Sequence, residues 1–166
     1  MVIPLYCEAY SLLSEDARSE NSQILKAIDT IFKHIGDKGI HAIDRGGDRG
    51  VIYKKYLERE KPTQFVIRLK ERNLKHKGKE VSCSWLAKVI PTPYETVLII
   101  YDDGKEKMRT VQYNAIPVKL PQYDNKLYLV VVKGFGEKPI MLLTSCPVDI
   151  HNKESVWRAI EYYLAR

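Results

Sequence analysis

Cysteine is scarce and unpaired in this sequence. The 166 residues hold three, Cys7, Cys83 and Cys146, and no CxxC pair. Neither a disulfide scaffold nor a thiolate zinc site is indicated, and a reduced cytoplasmic compartment is expected. No apolar run approaches the ~18 residues a membrane span needs, and residues 1–10 lack the basic opening of a signal peptide, so no membrane partner is expected. His34, His41, His76 and His151 show no metal-ligand spacing. The glycines at 46, 47 and 50 make neither GxGxxG nor GxxxxGK[ST], and no nucleophile elbow supports Ser/His/Asp catalysis.

The composition that remains is that of a folding chain. Hydrophobic residues make up 45% and charged residues 29%, enough for a core. The net charge of +6 and pI near 9.1 favour a polyanionic partner, a modest argument on its own.

Residues 2–7 read as a short strand with Pro4 near its start. Ser19-Glu20-Asn21-Ser22 offers several N-cap candidates for an amphipathic helix through Ile24, Leu25, Ile28, Ile31, Phe32 and Ile35, stopped by Gly36 and Gly39. Residues 40–43 form a strand running into Asp44, followed by the tight loop Arg45-Gly46-Gly47-Asp48-Arg49-Gly50. A second helix over 51–60, closed by Lys61-Pro62, leads to a buried-type strand at 65–69. Strand, helix and strand at this spacing predict a parallel pair with a right-handed crossover. Residues 71–79 read as a basic polar loop. From 80 to about 146 the pattern is strand-like (97–101, 108–113, 127–133 and 140–144), with Asp102-Asp103-Gly104 as a hairpin signal. Residues 153–166 return to helix, with Val156, Trp157, Ile160, Tyr163 and Leu164 on one stripe.

Asp44 ends a buried strand beside glycines, where α/β sheets bind ligands and metals. It reads either as a Mg²⁺ ligand, since hard cations prefer carboxylate oxygens, or as a turn or N-cap aspartate before the second helix. Asp48 reads as structural, paired with Arg45 or Arg49 at a surface worth ~0–1 kcal/mol. Arg68, Lys70, Arg72, Lys75 and Lys77 form a basic stretch that either follows a phosphate backbone or is a solvated strand end.

One combination resembles a known family. His41-Ala42-Ile43-Asp44-Arg45-Gly46-Gly47-Asp48, then Tyr56-Leu57, then Phe65-Val66-Ile67-Arg68-Leu69-Lys70, is similar to the second-aspartate region of DDE-type transposases of bacterial insertion sequences. There a strand ends in D-R-x-x-D and, after a helix, a strand reads F-V-x-R. Tyr163 and Arg166 resemble the Tyr and Arg, three residues apart, of the family's glutamate helix, and Met141-Leu142-Leu143-Thr144-Ser145 resembles the strand before it.

The resemblance implies an α/β, RNase H-like mixed sheet with flanking helices and a β-rich insertion. Residues 1–70 would supply part of the core, 71–147 the insertion, and 148–166 a core helix. It implies that Asp44 is a catalytic metal ligand, that Mg²⁺ (or Mn²⁺) is the cofactor of the complete protein, and that DNA is the partner. Arg45, Arg68, Lys70, Arg72, Tyr163 and Arg166 would hold the DNA. The family's first aspartate is expected upstream of Met1 and its glutamate beyond Arg166, so this chain alone is not expected to catalyse; self-association through the open edge at Asp44 is expected. An RNase H-like nuclease or resolvase, or an inactive DNA-binding module, are the alternative readings.

Overall fold

The computed structural model describes residues 19–60, 63–102 and 104–165. The strand expected at 2–7, the Lys61-Pro62 helix stop, Asp103 of the hairpin signal and Arg166 lie outside them. The chain divides into two compact units, residues 1–39 with 49–63, and residues 40–48 with 64–166.

In the first unit, helix α1 (Glu20–Ile35) begins at Ser19, whose hydroxyl accepts the Ser22 N–H at 3.3 Å. This satisfies one of the donors a helix start leaves orphaned. Helix α2 (Gly50–Leu57) buries Ile52, Tyr53 and Tyr56. Charge pairs join the two helices. Arg49 reaches Glu20 and Asn21, while Asp29 takes Lys55 at 2.7 Å and Arg59 at 2.6 Å. The Arg59 guanidinium also lies 4.1 Å from the centre of the Phe32 ring. Arg49 is thus committed to α1, not to Asp48 as the sequence suggested.

The second unit is mixed α/β. Strands β1 (Ile40–Ile43), β2 (Gln64–Arg68), β5 (Tyr94–Asp102), β6 (Lys105–Val118), β7 (Leu127–Lys133) and β8 (Ile140–Thr144) form a six-stranded sheet in the order β1-β2-β8-β7-β6-β5. As expected, β1 and β2 are parallel, with His41 opposite Phe65 and Ile43 opposite Ile67. Every other neighbouring pair is antiparallel. Residues 71–147, expected as an insertion, therefore supply four strands to the same sheet that carries Asp44. Their remaining strands, β3 (Asn73–His76) and β4 (Lys79–Ser82), make a separate hairpin where a loop was expected. A short helix, α3 (Cys83–Val89), follows it, capped by the Ser82 hydroxyl on the Trp85 N–H.

Burial explains the strand order. Leu127 to Val132 of β7 are all buried, as a strand covered on both faces should be. Tyr128, Val130 and Val132 share a core with Val66, Leu142 and the last helix, α4 (Lys153–Leu164). That helix starts at Asn152, whose side chain accepts the N–H groups of Glu154 and Ser155 at 2.9 and 3.2 Å. Its buried stripe is Val156, Ala159, Ile160 and Tyr163, each large member adding roughly 1.5–3 kcal/mol by burial. Trp157 packs its ring 5.2 Å from that of Tyr113, and Leu164, expected on the stripe, is exposed.

Gly47 follows the end of β1 closely and is itself buried. A Cβ there would sit 2.5 Å from Cγ2 of Ile43, so only glycine fits against the strand. Gly47→Ala should lower the free energy of unfolding by about 1–3 kcal/mol, the usual cost of overpacking, as read by urea denaturation.

Candidate active site at the end of strand β1

Asp44 leaves β1 and enters a single 3-10 turn, Arg45–Gly47, closed by the Gly47 N–H on the Asp44 carbonyl at 2.8 Å. Its carboxylate makes no capping hydrogen bond to that turn, and the residue before α2 is Arg49. The capping alternative therefore does not describe how this side chain is used. Instead the Tyr163 hydroxyl, from α4, donates to Asp44 Oδ1 at 2.9 Å. Arg68, at the end of β2, brings Nη1 to 3.7 Å from the same oxygen and to 3.4 Å from the tyrosine oxygen.

Three residues from three separate elements thus meet at the carboxyl ends of the parallel pair. The Asp44 side chain is 55% exposed, while Tyr163 behind it is buried. The carboxylate is aimed and yet open to solvent, which suits an acceptor for an incoming cation or proton. As an ion pair alone, the exposed Asp44–Arg68 contact would add only ~0–1 kcal/mol.

Asp48 behaves differently. Its side chain is 2% exposed, and its two oxygens are spent on the second strand's exit. Oδ2 accepts the Lys70 backbone N–H at 2.7 Å and Oδ1 accepts Arg72 Nε at 2.7 Å. The partner expected from the sequence (Arg45 or Arg49) and the surface setting are corrected by this geometry. Arg72, expected among the DNA-holding cations, is turned onto this buried carboxylate. The Arg72 N–H also points at Cys83 Sγ, 3.3 Å away, and its carbonyl accepts the Cys83 N–H at 2.8 Å. Burial, and then the nearby Glu71 and Asp48 carboxylates, push the Cys83 thiol above its ordinary value despite the Arg72 N–H, so it is not an activated thiolate.

Beside Asp44 opens a groove of about 540 Å³ lined by Arg45, Arg68, Lys70, Lys88 and Lys138, with Glu71 as the single acid. Arg68 and Lys70 were legible in the sequence as part of a basic stretch, and Arg45 entered through the resemblance. Lys88 on α3 and Lys138 before β8 were not, because nothing local marks residues that tertiary packing brings together. Arg166 lies outside the described residues.

The described residues do not by themselves make a divalent-metal site. No three His, Cys, Asp or Glu side chains cluster among them, and Asp48 is committed to Arg72 and Lys70. Mg²⁺ usually needs more than one carboxylate plus substrate phosphate, and Asp44 provides one. No helix among the described residues is long and apolar enough to cross a membrane.

No protein-family model matches the chain, and no curated protein matches it significantly.

Asp48→Asn keeps the shape but removes the charge that binds Arg72 and the Lys70 N–H. It should destabilise the fold by about 1.5–3 kcal/mol, the scale of hydrogen bonds to a charged group. Chemical denaturation reads the loss, and Asp44→Asn in the same assay should change stability by less than about 1 kcal/mol.

Proposed function

We propose that this chain carries the second-aspartate segment of a DDE-type transposase catalytic domain, with Asp44 as one of its metal-binding carboxylates. The observation that carries the reading is the meeting of Asp44, Arg68 and Tyr163. The family resemblance singled out these residues from positions far apart in sequence, and they lie within 2.9 to 3.7 Å of one another. A generic basic protein has no reason to bring an aspartate, an arginine and a tyrosine of these three motifs to one strand end.

The sheet supports the finer, RNase H-like reading in two respects. The parallel pair presents Asp44 at its carboxyl end, where such sheets place ligands, and an amphipathic helix packs on the sheet with its tyrosine over that end. In this reading Asp44 is one of three carboxylates that would share the metal. Bound Mg²⁺ or Mn²⁺ would polarise the phosphoryl group and lower the pKa of the attacking water or hydroxyl.

This chain's own residues do the rest. Tyr163 donates to Asp44 Oδ1 and would hold the carboxylate in place, so that a cation bound there would meet a pre-set ligand. Arg68 offsets the charge of that carboxylate when no cation is present. Arg45, Lys70, Lys88 and Lys138 attract the phosphate backbone and hold it across the groove. The products expected are a nicked transposon end and, after joining of its 3′-hydroxyl, a recombined target.

Metal-dependent nicking by the complete transposase on its own element ends tests the assignment. Asp44→Asn should abolish cleavage and leave DNA binding intact or slightly stronger, since a negative charge is removed without a change of shape. Cleavage at the wild-type rate in that variant would end the reading, as would cleavage by this segment alone. In a separate binding titration, Arg68→Ala with Lys70→Ala should flatten the dependence of log affinity on log salt for duplex DNA by about 1.8, two phosphate contacts at about 0.9 each. An unchanged slope would return both residues to ordinary surface.

A further inference from the structure

A second basic groove lies apart from the residues that surround Asp44. Its wall is the β3–β4 hairpin, fixed to the end of β6 by paired backbone bonds: the Lys75 N–H to the Lys119 carbonyl at 2.8 Å, and the Lys119 N–H to the Lys75 carbonyl at 3.0 Å. A His76 ring contact at 3.0 Å to the Pro117 carbonyl adds a third tie. The groove encloses about 690 Å³, with Lys75, Lys77, Lys119 and Lys126 around it and Asp124 as its single acid. Ile116, Pro117 and Ile150 form an apolar floor.

Two of the ammonium groups are held in place. Lys75 Nζ donates to the Pro121 carbonyl at 3.0 Å, and Lys119 Nζ donates to Asp124 at 3.0 Å. The hydrogen bond from Lys119, its charge, and that of Lys75 hold the Asp124 carboxyl below the usual carboxylate range. Lys126 lies over the Tyr128 ring at 5.4 Å from its centre.

An independent feature marks Lys77. The hairpin turns through two residues, Lys77 with φ 49° and Gly78 with φ 79°. Both centres of such a turn are left-handed, and asparagine, aspartate or glycine normally occupies the first. Among the described residues no other non-glycine has positive φ. A lysine kept in backbone that disfavours it, at the lip of a lysine-lined groove, points to a use for its charge, since strain of this kind collects at functional positions.

We infer that this groove binds a single strand of nucleic acid, its phosphates on Lys75, Lys77, Lys119 and Lys126 and its sugar and base faces on the apolar floor. A duplex keeps its bases stacked inside and would leave the floor uncovered. The choice of ligand rests on the nucleic-acid reading of the Asp44 site. Lys75 follows Lys70 by five residues, at most about 18 Å of extended chain, so a strand leaving that site reaches this groove within a few nucleotides.

The test is fluorescence polarisation with a labelled single-stranded oligonucleotide across a salt series. Lys77→Asn supplies the residue the turn prefers, so the thermal midpoint should hold or rise while binding weakens. Its slope of log affinity against log salt should fall by about 0.7, and that of Lys77→Asn with Lys126→Gln by about 1.4. Unchanged slopes in both variants would overturn the inference, and so would competition by poly-glutamate as effective as by unlabelled oligonucleotide. Nicking reads Asp44, whereas these slopes read Lys77 and Lys126, so the groove and the transposase assignment fail separately.

Discussion

The geometry of the site depends on one buried carboxylate. Asp48 ties the turn after β1 to the exit of β2 through the Lys70 N–H and the Arg72 guanidinium, each at 2.7 Å. β1 is only four residues long and, among the described residues, pairs with β2 alone, so a tie at its end matters. Through Asp48, two hydrogen bonds tie the span from Asp44 to Asp48 to the span from Arg68 to Arg72. That coupling lets α4 deliver Tyr163 to a carboxylate whose position is already set. Arg72 is in turn held by backbone and sulfur contacts with Cys83, so the clamp reaches the start of α3. A charge buried this deeply is tolerated because its hydrogen bonds are made, and losing a partner leaves it expensive.

Much of the architecture was legible because several elements carry their own period. Helix α1 and helix α4 show apolar residues at helical spacing with a capping side chain in front. Strands β7 and β8 were located to the residue from their continuous apolar runs. The parallel pairing of β1 with β2 followed from the helix-forming stretch between them. Short elements escaped. α3 has seven residues, too few for a periodic signal, and β3 and β4 alternate lysine and other polar residues around a single buried Leu74. Strand order was the deeper gap. Local pattern shows that 94–144 is β-rich, but not that these strands extend the sheet at β2 rather than standing apart from it.

The candidate site divides along the same line. Asp44 was identifiable from its place after a β-branched strand and before glycines, and Arg68 and Tyr163 entered through the resemblance. For Asp48 the partner was sought nearby in sequence, whereas Arg72 lies 24 residues away. The same bias towards neighbours assigned Arg49 to Asp48, while its guanidinium serves Glu20 and Asn21 on α1. Distant partners chosen by packing leave no trace in a short window. One consequence is functional: the basic stretch from Arg68 to Lys77 is not a single surface. Arg68 and Lys70 face the Asp44 groove, Arg72 is withdrawn onto Asp48, and Lys75 and Lys77 belong to the second groove.

The central claim is that Asp44 is presented to a metal ion. A lone carboxylate holds Mn²⁺ weakly, yet a paramagnetic ion broadens nearby amide signals even at low occupancy. Titrating Mn²⁺ into the isotopically labelled chain while recording amide spectra therefore tests the claim most directly. The account predicts that the amides of Ile43, Asp44 and Arg45 broaden first, and that Asp44→Asn removes this effect while the fold is retained. Broadening centred elsewhere, or undiminished at these amides in Asp44→Asn, would contradict it.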